Sequence, residues 1–221
     1  IEARHAVRSH IDEPLAPEAV EVLREAIARV NEEANLNIQL VLDEPRAFTG
    51  FKARLVNFTN VRNYLALVGP ECKELDGILG YYGEQLMLLA QSLGLNSCWV
   101  GGTYKVVNRA YNVDLGQKLA AVIALGYGTT QGVPHRSKAP QAVVPGYDGA
   151  PEWFKRGVDA ALLAPTALNQ QKFSFSLDGE VGDVPVVRAS TRRGAFAQMD
   201  LGIAQCHFEI GAGPALYRWA E

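Results

Sequence analysis

The run GYYGEQLMLLAQSLGLNSCWVGG occupies residues 80–102 and contains the most apolar helix that the sequence predicts. Its apolar side chains recur at the 3.6-residue spacing of one helix face, at Tyr82, Leu86, Leu89, Ala90 and Leu93. Met87 and Leu88 cover other sides, so this helix is expected to be enclosed by its neighbours. Gly94 predicts the C-terminal cap, because glycine adopts the left-handed conformation there without steric cost.

A short buried strand and two glycines follow this helix. Cys98-Trp99-Val100 predicts the strand, and Gly101-Gly102 ends it. Glycines at this position let another group approach the backbone closely. We therefore expect the run to present backbone N–H groups to a ligand beside the core.

Composition limits the class of protein. The 221 residues carry a net charge of −3, which does not suggest nucleic acid or a membrane surface as a partner. The chain is long enough for one domain or for two tightly merged halves. Its three cysteines, Cys72, Cys98 and Cys206, are widely spaced, which favours reduced thiols over a disulfide framework or a metal site. We predict a cytoplasmic protein.

The remaining elements alternate between helices and strands. Helices are predicted at 14–30, 151–163 and 200–210, and strands at 35–42, 51–56, 64–68 and 115–125. Phe173, Phe175 and Leu177 alternate as in a further strand. His207 lies on an apolar helix and is predicted to be a core histidine. Residues 141–151, rich in Gly and Pro, predict a linker.

Two basic segments have more than one interpretation. Arg4 and Arg8 are four residues apart and would share one face if the segment were helical, which fits either a solvated terminus or an anion site in which a phosphate separates the two cations. Arg136 and Lys138 point to one side of an extended segment, which is either an ordinary basic loop or part of such a site. A dinucleotide-binding turn at Gly126-x-Gly128 is not favoured, because Pro134 stands where the helix should begin.

The order of elements recurs within the chain. In each part an amphipathic helix leads to a predicted Asn-x-Gln strand, Asn37–Gln39 or Asn169–Gln171, and then to an apolar helix that is expected to begin at a glycine. On this pattern Tyr82-Gly83 aligns with Leu201-Gly202. We predict halves at 1–145 and 151–221, which either descend from a duplication or resemble each other by chance.

Four motifs together resemble the nitroreductase-like flavoproteins. They are Arg4-His5-x-x-Arg8, the Gly83–Gly102 run with its Cys98-Trp99, Arg136-x-Lys138-x-Pro140, and Ala164-Pro-Thr-x-x-Asn-x-Gln171. The last motif comes early in most relatives and late here, which resembles the branch in which two degenerate copies are fused. The resemblance implies an α+β fold with three α/β/α layers, in which two related halves form an internal pseudo-dimer around central apolar helices.

The resemblance also implies a site for flavin mononucleotide (FMN). The first half would supply Arg4, His5, Arg8, Gly101, Gly102, Arg136 and Lys138. The second half would supply Pro165, Thr166 and Asn169. Ala6, Lys172 and Phe173 depart from the usual Ser, Pro and Trp. No side chain is assigned a catalytic role, and no metal is expected.

The function implied is that of an FMN-dependent oxidoreductase. It would take hydride from NAD(P)H and reduce a small nitro, quinone or enone-like acceptor. The alternatives are a flavin-binding or flavin-sensing protein without turnover, and a degenerate scaffold without cofactor. Since one chain holds both contributions to the site, the resemblance implies a monomer with an internal pseudo-two-fold axis.

Overall fold

The structure is a computed structural model that describes residues 1–213 and 216–220. Five α-helices lie in this part of the chain: α1 (Pro17–Ala34), α2 (Phe51–Leu55), α3 (Leu75–Ser92), α4 (Glu152–Ala161) and α5 (Ala197–Ala212). The strands are β1 (Gln39–Val41), β2 (Asn63–Pro70), β3 (Asn96–Val100), β4 (Gln117–Gly126), β5 (Phe173–Val181), β6 (Val184–Thr191) and β7 (Arg218–Trp219). The predicted α+β class is confirmed.

The chain divides into two compact units. The four-stranded unit comprises residues 3–75 and 83–134, and its antiparallel sheet has the order β1-β2-β4-β3. The three-stranded unit comprises residues 1–2, 76–82 and 135–221, with the order β5-β6-β7. In this second sheet β5 and β6 are antiparallel, whereas β6 and β7 are parallel. Whether the chain consists of duplicated halves at 1–145 and 151–221 remains a prediction.

Two predicted strands are wrong in whole or in part. Residues 51–56 were expected to form a strand, but α2 lies there, with Phe51 76 % and Leu55 65 % exposed. Only Ala53 of this segment is buried, so the alternation of apolar residues did not mark a strand face. The strand predicted from residue 35 begins at Gln39, because Asn35 is the left-handed C-cap of α1.

The apolar helix runs from Leu75 to Ser92, five residues longer at its start than the quoted run. Gly94 has a φ of +80° immediately beyond its end, as predicted for the cap. In the four-stranded unit, Gly83 of this helix packs against the indole ring of Trp99, where a Cβ would lie 2.7 Å from the ring. The backbone of the helix therefore lies directly against the Trp99 side chain of β3.

The predicted linker is packed within the three-stranded unit. Its residues form short 3₁₀ turns at Pro140–Ala142 and Tyr147–Gly149, and Val143 and Val144 are buried. The backbone oxygen of Val143 accepts a hydrogen bond from the N–H of Phe175 on β5. His207 is fully buried with its Nδ1 3.1 Å from the oxygen of Ala160, so the prediction of a core histidine is confirmed.

Helices α3 and α5 cross at two glycines. A Cβ on Gly80 would lie 2.2 Å from the backbone oxygen of Met199, and one on Gly202 would lie 2.0 Å from that of Gly77. The same hypothetical atoms would approach the backbone nitrogens of Ile203 and Tyr81. Gly80 thus faces the residues three before and one after Gly202, and Gly202 faces the residues three before and one after Gly80. A two-fold axis produces this reciprocal pattern. The crossing pairs Gly80, not Gly83, with Gly202.

We expect Gly80→Ala and Gly202→Ala to destabilise the fold equally, by about 3 kcal/mol or more, because each added methyl group meets backbone that cannot rotate away. Urea denaturation measures the effect. Gly149→Ala is the matched control, since nothing lies within 4 Å of a Cβ at that position. Two variants as stable as the control would show that the helices can separate at little cost.

Candidate functional site

The segment from Pro165 to Gln171 follows α4 and contains three non-glycine residues in the left-handed region. Their φ angles are 53° at Leu168, 53° at Asn169 and 41° at Gln171. Such a conformation is unfavourable for a residue with a Cβ, least so for Asn. Leu168 is 102 % exposed, so no packing of its side chain compensates. The segment must therefore be held by its hydrogen bonds, and we call it the strained loop.

Asp200 on α5 binds the strained loop from inside the unit. Asp200 is 3 % exposed, and its carboxylate accepts hydrogen bonds from the Ala167 N–H at 2.9 Å and from Gln170 Nε2 at 2.7 Å. Burial raises the pKa of this carboxyl group, while the two hydrogen bonds oppose the shift. The sequence predicts no role for Asp200. Its one signal is the position of an acid in an apolar helix, since a buried acid needs partners.

Gln171 and Asn169 connect the strained loop to the predicted basic segment. The side chain of Gln171 donates to the oxygen of Arg136 at 2.9 Å and accepts from the N–H of Lys138 at 2.9 Å. Asn169 Nδ2 donates to the same Arg136 oxygen at 2.8 Å. Thr166 closes the loop, because its Oγ1 accepts from the N–H of Gln171 at 3.1 Å. Segments 136–138 and 165–171 therefore form one hydrogen-bonded assembly.

The ammonium group of Lys138 is part of the same assembly. It donates to the backbone oxygens of Gln170 at 2.9 Å and Gln171 at 2.6 Å. Burial lowers its pKa, and the nearby cations Arg192 and Lys172 lower it further. The side chain of Arg136 is exposed. Of the predicted basic pair, Lys138 thus holds the loop, whereas Arg136 extends into solvent.

The N-terminal basic motif also separates into a buried and an exposed cation. Arg4 is 3 % exposed, and its Nε lies 3.6 Å from Glu84 Oε1 on α3. The other carboxylate oxygen of Glu84 accepts a hydrogen bond from Trp99 Nε1 at 2.7 Å. Glu84 is fully buried, so this group of three residues joins the N-terminal segment, α3 and β3 inside the four-stranded unit. Arg8, in contrast, is exposed.

Arg8 lies beside the thiol of Cys98. Burial raises the pKa of Cys98, and the charges of Arg8 and Arg4 act in the opposite direction. Beyond β3, Gly102 is exposed and nothing lies within 4 Å of a Cβ there. Neither Gly101 nor Gly102 donates a backbone hydrogen bond to the part of the chain that the structure describes. These N–H groups are therefore available to a ligand.

The predicted site residues fall into two sets, one in each unit. The three-stranded unit brings together Arg136, Lys138, Pro165, Thr166 and Asn169. The four-stranded unit contains Arg4, His5, Arg8, Gly101 and Gly102. Their roles toward a ligand remain predictions. Among residues 1–213 and 216–220, no group of three metal-ligating side chains is found, and no helix is long and apolar enough to cross a membrane.

Comparison with known proteins gives one family. The family model described as "Putative TM nitroreductase" matches residues 1–212. The chain belongs to this nitroreductase family. No curated protein matches the sequence.

Solved structures share the nitroreductase fold with this family member. A "putative nitroreductase" from Thermotoga maritima has a TM-score of 0.68 at 19 % identity, covering 99 % of this chain and 84 % of the other. A "Putative NADH dehydrogenase/NAD(P)H nitroreductase" from Bacteroides thetaiotaomicron has a TM-score of 0.50 at 18 % identity, covering 63 % and 90 %. Nitroreductase A from Vibrio parahaemolyticus also has 0.50, at 16 % identity, covering 64 % and 70 %. The nitroreductase fold predicted from the sequence is confirmed.

His10 is a buried polar residue of the four-stranded unit for which the sequence predicts no role. Its side chain is 1 % exposed and packs against Gly126, and neither ring nitrogen has a hydrogen-bond partner among the described residues. Burial lowers the pKa of His10 to about 4. The folded state therefore requires the neutral imidazole.

We expect Glu84→Gln to destabilise the protein by about 3–5 kcal/mol, because it removes the carboxylate that faces the buried Arg4 guanidinium. Glutamine keeps an oxygen for Trp99 Nε1, which isolates the effect of charge. Glu21→Gln is the control: it breaks an exposed pair with Arg24, which contributes at most about 1 kcal/mol. Equal unfolding free energies of the two variants in urea would contradict a buried ion pair.

His10 predicts a pH dependence of stability. Its pKa in the folded state, about 4, lies below the unfolded value of about 6.5, so the stabilisation is complete above pH 6.5 and is lost as the pH falls toward 4. Unfolding free energies measured at pH 7 and pH 5 should show that His10→Phe removes about 2 kcal/mol of the decrease seen in the wild type. A variant with the wild-type decrease would show that His10 does not titrate this way.

Proposed function

We propose that this family member is an FMN-dependent oxidoreductase that takes hydride from NAD(P)H and reduces a small nitro, quinone or enone-like acceptor. The observation that carries the proposal is the family match over residues 1–212. The donor is proposed from the resemblance and from the printed name of the Bacteroides neighbour, which mentions NAD(P)H. The acceptor is proposed from the resemblance alone.

The residues available in each unit fit the chemistry of FMN. Its phosphate needs cations, and Arg8 and Arg136 have exposed side chains. Its ring needs hydrogen-bond donors and a rigid surface, which Gly101-Gly102 and the strained loop offer. When bound, the flavin carries the two electrons of the reaction, and the protein binds and orients it. Arg4 and Lys138 would support the residues that contact FMN, because their own cationic groups already bind Glu84 and the loop oxygens, respectively.

We further propose that the chain is a fused pair of degenerate halves. The order helix, strand, strand, helix, strand occurs in both parts, as α1–β1–β2–α3–β3 and α4–β5–β6–α5–β7, although the first part also contains α2 between β1 and β2 and ends with β4. In the first copy, Gln39 donates to the oxygen of Asn112 and accepts from its N–H, at 2.7 and 2.8 Å. Gln171 binds segment 136–138 in the same two-sided way. The reciprocal glycine crossing of α3 and α5 also supports this proposal.

The fused halves imply one flavin per chain and a functional monomer, because both contributions to the site lie in one polypeptide. We propose a cytoplasmic location, which the three free cysteines support. The electron acceptor is taken to be a small molecule.

The purified protein is expected to be yellow, to release FMN on denaturation and to lose its flavin absorbance when NAD(P)H is added without oxygen. Arg8→Gln and Arg136→Gln should each weaken FMN binding about ten- to a hundredfold, the effect of one charged hydrogen bond. These two residues are chosen because their charges are exposed, so the fold should be unaffected. Titration by flavin fluorescence quenching measures both affinity and the expected stoichiometry of one flavin per chain.

Arg24→Gln is the control for the two arginine variants, since it removes an exposed arginine of α1. Colourless protein that binds no added FMN would overturn the proposal. Yellow protein that NAD(P)H does not bleach would instead indicate flavin binding without turnover. If the protein loses its flavin whenever it sediments as single chains, the proposal that one chain binds flavin as a monomer is contradicted.

A further inference from the structure

Helix α2 exposes two apolar side chains on the face that points away from the core. Ala53 is its one buried residue. At about 100° per residue, Phe51 and Leu55 lie together on the face opposite Ala53. Lys52 and Arg54 lie on the two sides of this face, and both are exposed. The helix therefore presents a largely exposed apolar ridge with a cation on each side.

A second segment of the four-stranded unit extends this surface. The N–H of Lys105 donates to the oxygen of Ala47 at 2.8 Å, in the turn that leads into α2. Val107 belongs to the same buried cluster as Ala47 and Ala53, so the two residues before it reach the surface beside α2. Of these, Lys105 is exposed and Val106 is 58 % exposed. We give the name α2 patch to Phe51, Lys52, Arg54, Leu55, Lys105 and Val106.

The segments that form the α2 patch contain no acid. Residues 45–70 and 85–113 carry six Lys or Arg and neither Asp nor Glu, in a chain whose net charge is −3. Two of these cations pair with acids from outside the segments. Lys52, Arg54 and Lys105 make no ion pair within the part of the chain that the structure describes. The net charge thus averages over an uneven distribution, and the patch is locally cationic.

The shape and charge of the α2 patch favour a fluid anionic surface over a folded protein as its occupant. A standard protein interface needs about 800 Å² of complementary surface on each partner, whereas the patch is one helix of five residues and an adjoining segment. A lipid layer accepts protruding apolar side chains without a matching shape. Its headgroups supply negative charge where long cationic side chains end, since their stems cross apolar surface.

We propose that the α2 patch binds an anionic lipid surface. Phe51 and Leu55 insert between the headgroups, and the three cations of the patch contact the anionic groups of the lipids. Apolar burial and charge attraction act together, the combination that gives reversible membrane binding. The lipid site does not rest on the proposed oxidoreductase function, although a quinone acceptor, being apolar, would dissolve in the same lipid layer.

Flotation of the full chain with lipid vesicles tests the proposal. Vesicles of equal parts phosphatidylserine and phosphatidylcholine should bind the protein at least about tenfold more tightly than vesicles of phosphatidylcholine alone, because the cations of the patch are attracted to an anionic surface. Added salt should weaken this binding, since exposed charges are screened. Protein that floats with neither kind of vesicle, or equally with both, would overturn the proposal.

A charge variant locates the binding surface. Lys52→Gln/Arg54→Gln should weaken binding to the anionic vesicles about thirtyfold, the combined effect of two cations near a charged membrane. Lys155→Gln/Arg188→Gln is the matched control: it removes the same charge from the three-stranded unit, where both cations pair with acids. The control should bind like the wild type. Equal binding by the two variants would show that the α2 patch is not the lipid site.

An apolar variant tests the ridge. Phe51→Ser/Leu55→Ser should weaken vesicle binding at least about tenfold, because two apolar side chains no longer leave water. Leu115→Ser/Val133→Ser is its control, since these side chains are also largely exposed but lie outside the acid-free segments. All four residues are exposed, and unchanged unfolding in urea checks that the fold is intact. An apolar variant that binds as tightly as its control would overturn the proposal.

Insertion into the lipid layer has its own readout. Lipids brominated on the acyl chains should quench the added tryptophan of vesicle-bound Phe51→Trp, whereas the added tryptophan of Leu115→Trp should remain unquenched. A bound Phe51→Trp protein without extra quenching would contradict insertion of the ridge. If wild-type protein ignores anionic vesicles but self-associates through Phe51 and Leu55 in sedimentation, the occupant is a second copy and the lipid proposal is wrong.

Discussion

The contact between the backbones of α3 and α5 is the constraint on which the rest of the three-stranded unit depends. Gly80 and Gly202 remove the side chains that would otherwise separate the two helices, and each glycine then faces a backbone oxygen of its partner. Such a contact fixes both the distance and the register of the helices, because backbone atoms cannot move aside as side chains do. The position of every side chain on α5 follows from it.

Asp200 shows how this constraint reaches the candidate site. It stands next to Met199, whose oxygen faces Gly80, so the helix crossing determines where its carboxylate lies. That carboxylate binds Ala167 and Gln170 and, together with Lys138, holds the strained loop. A left-handed non-glycine residue costs about 1–2 kcal/mol, whereas a hydrogen bond to a charged group contributes roughly 1.5–3 kcal/mol. Four such bonds to Asp200 and Lys138 are sufficient to stabilise the three left-handed residues.

Burial divides the basic residues into two kinds. Arg4 and Lys138 have their charged groups turned toward the protein, against Glu84 and the loop oxygens, and so stabilise the surfaces on which a ligand would rest. Arg8, Arg136 and Arg192 are exposed and can meet an anion from solvent. A buried ion pair is sensitive to the loss of one partner, whereas an exposed cation can be replaced with little effect on the fold. Binding and stability can therefore be varied separately in this protein.

The sequence by itself determined the family, the α+β class, the apolar helix with its Gly94 cap and the core position of His207, because these depend on local spacing and on residue types that neighbour each other in the chain. Some local features were ambiguous: in segment 51–56 the apolar alternation did not correspond to a buried face, so a helix formed where a strand was predicted. Only the tertiary structure decided that Arg4 faces Glu84, that Asp200 holds the strained loop and that Gln171 binds segment 136–138. Each of these contacts joins residues far apart in the chain, and the strength of a charge or a hydrogen bond depends on the burial and partners that folding gives it.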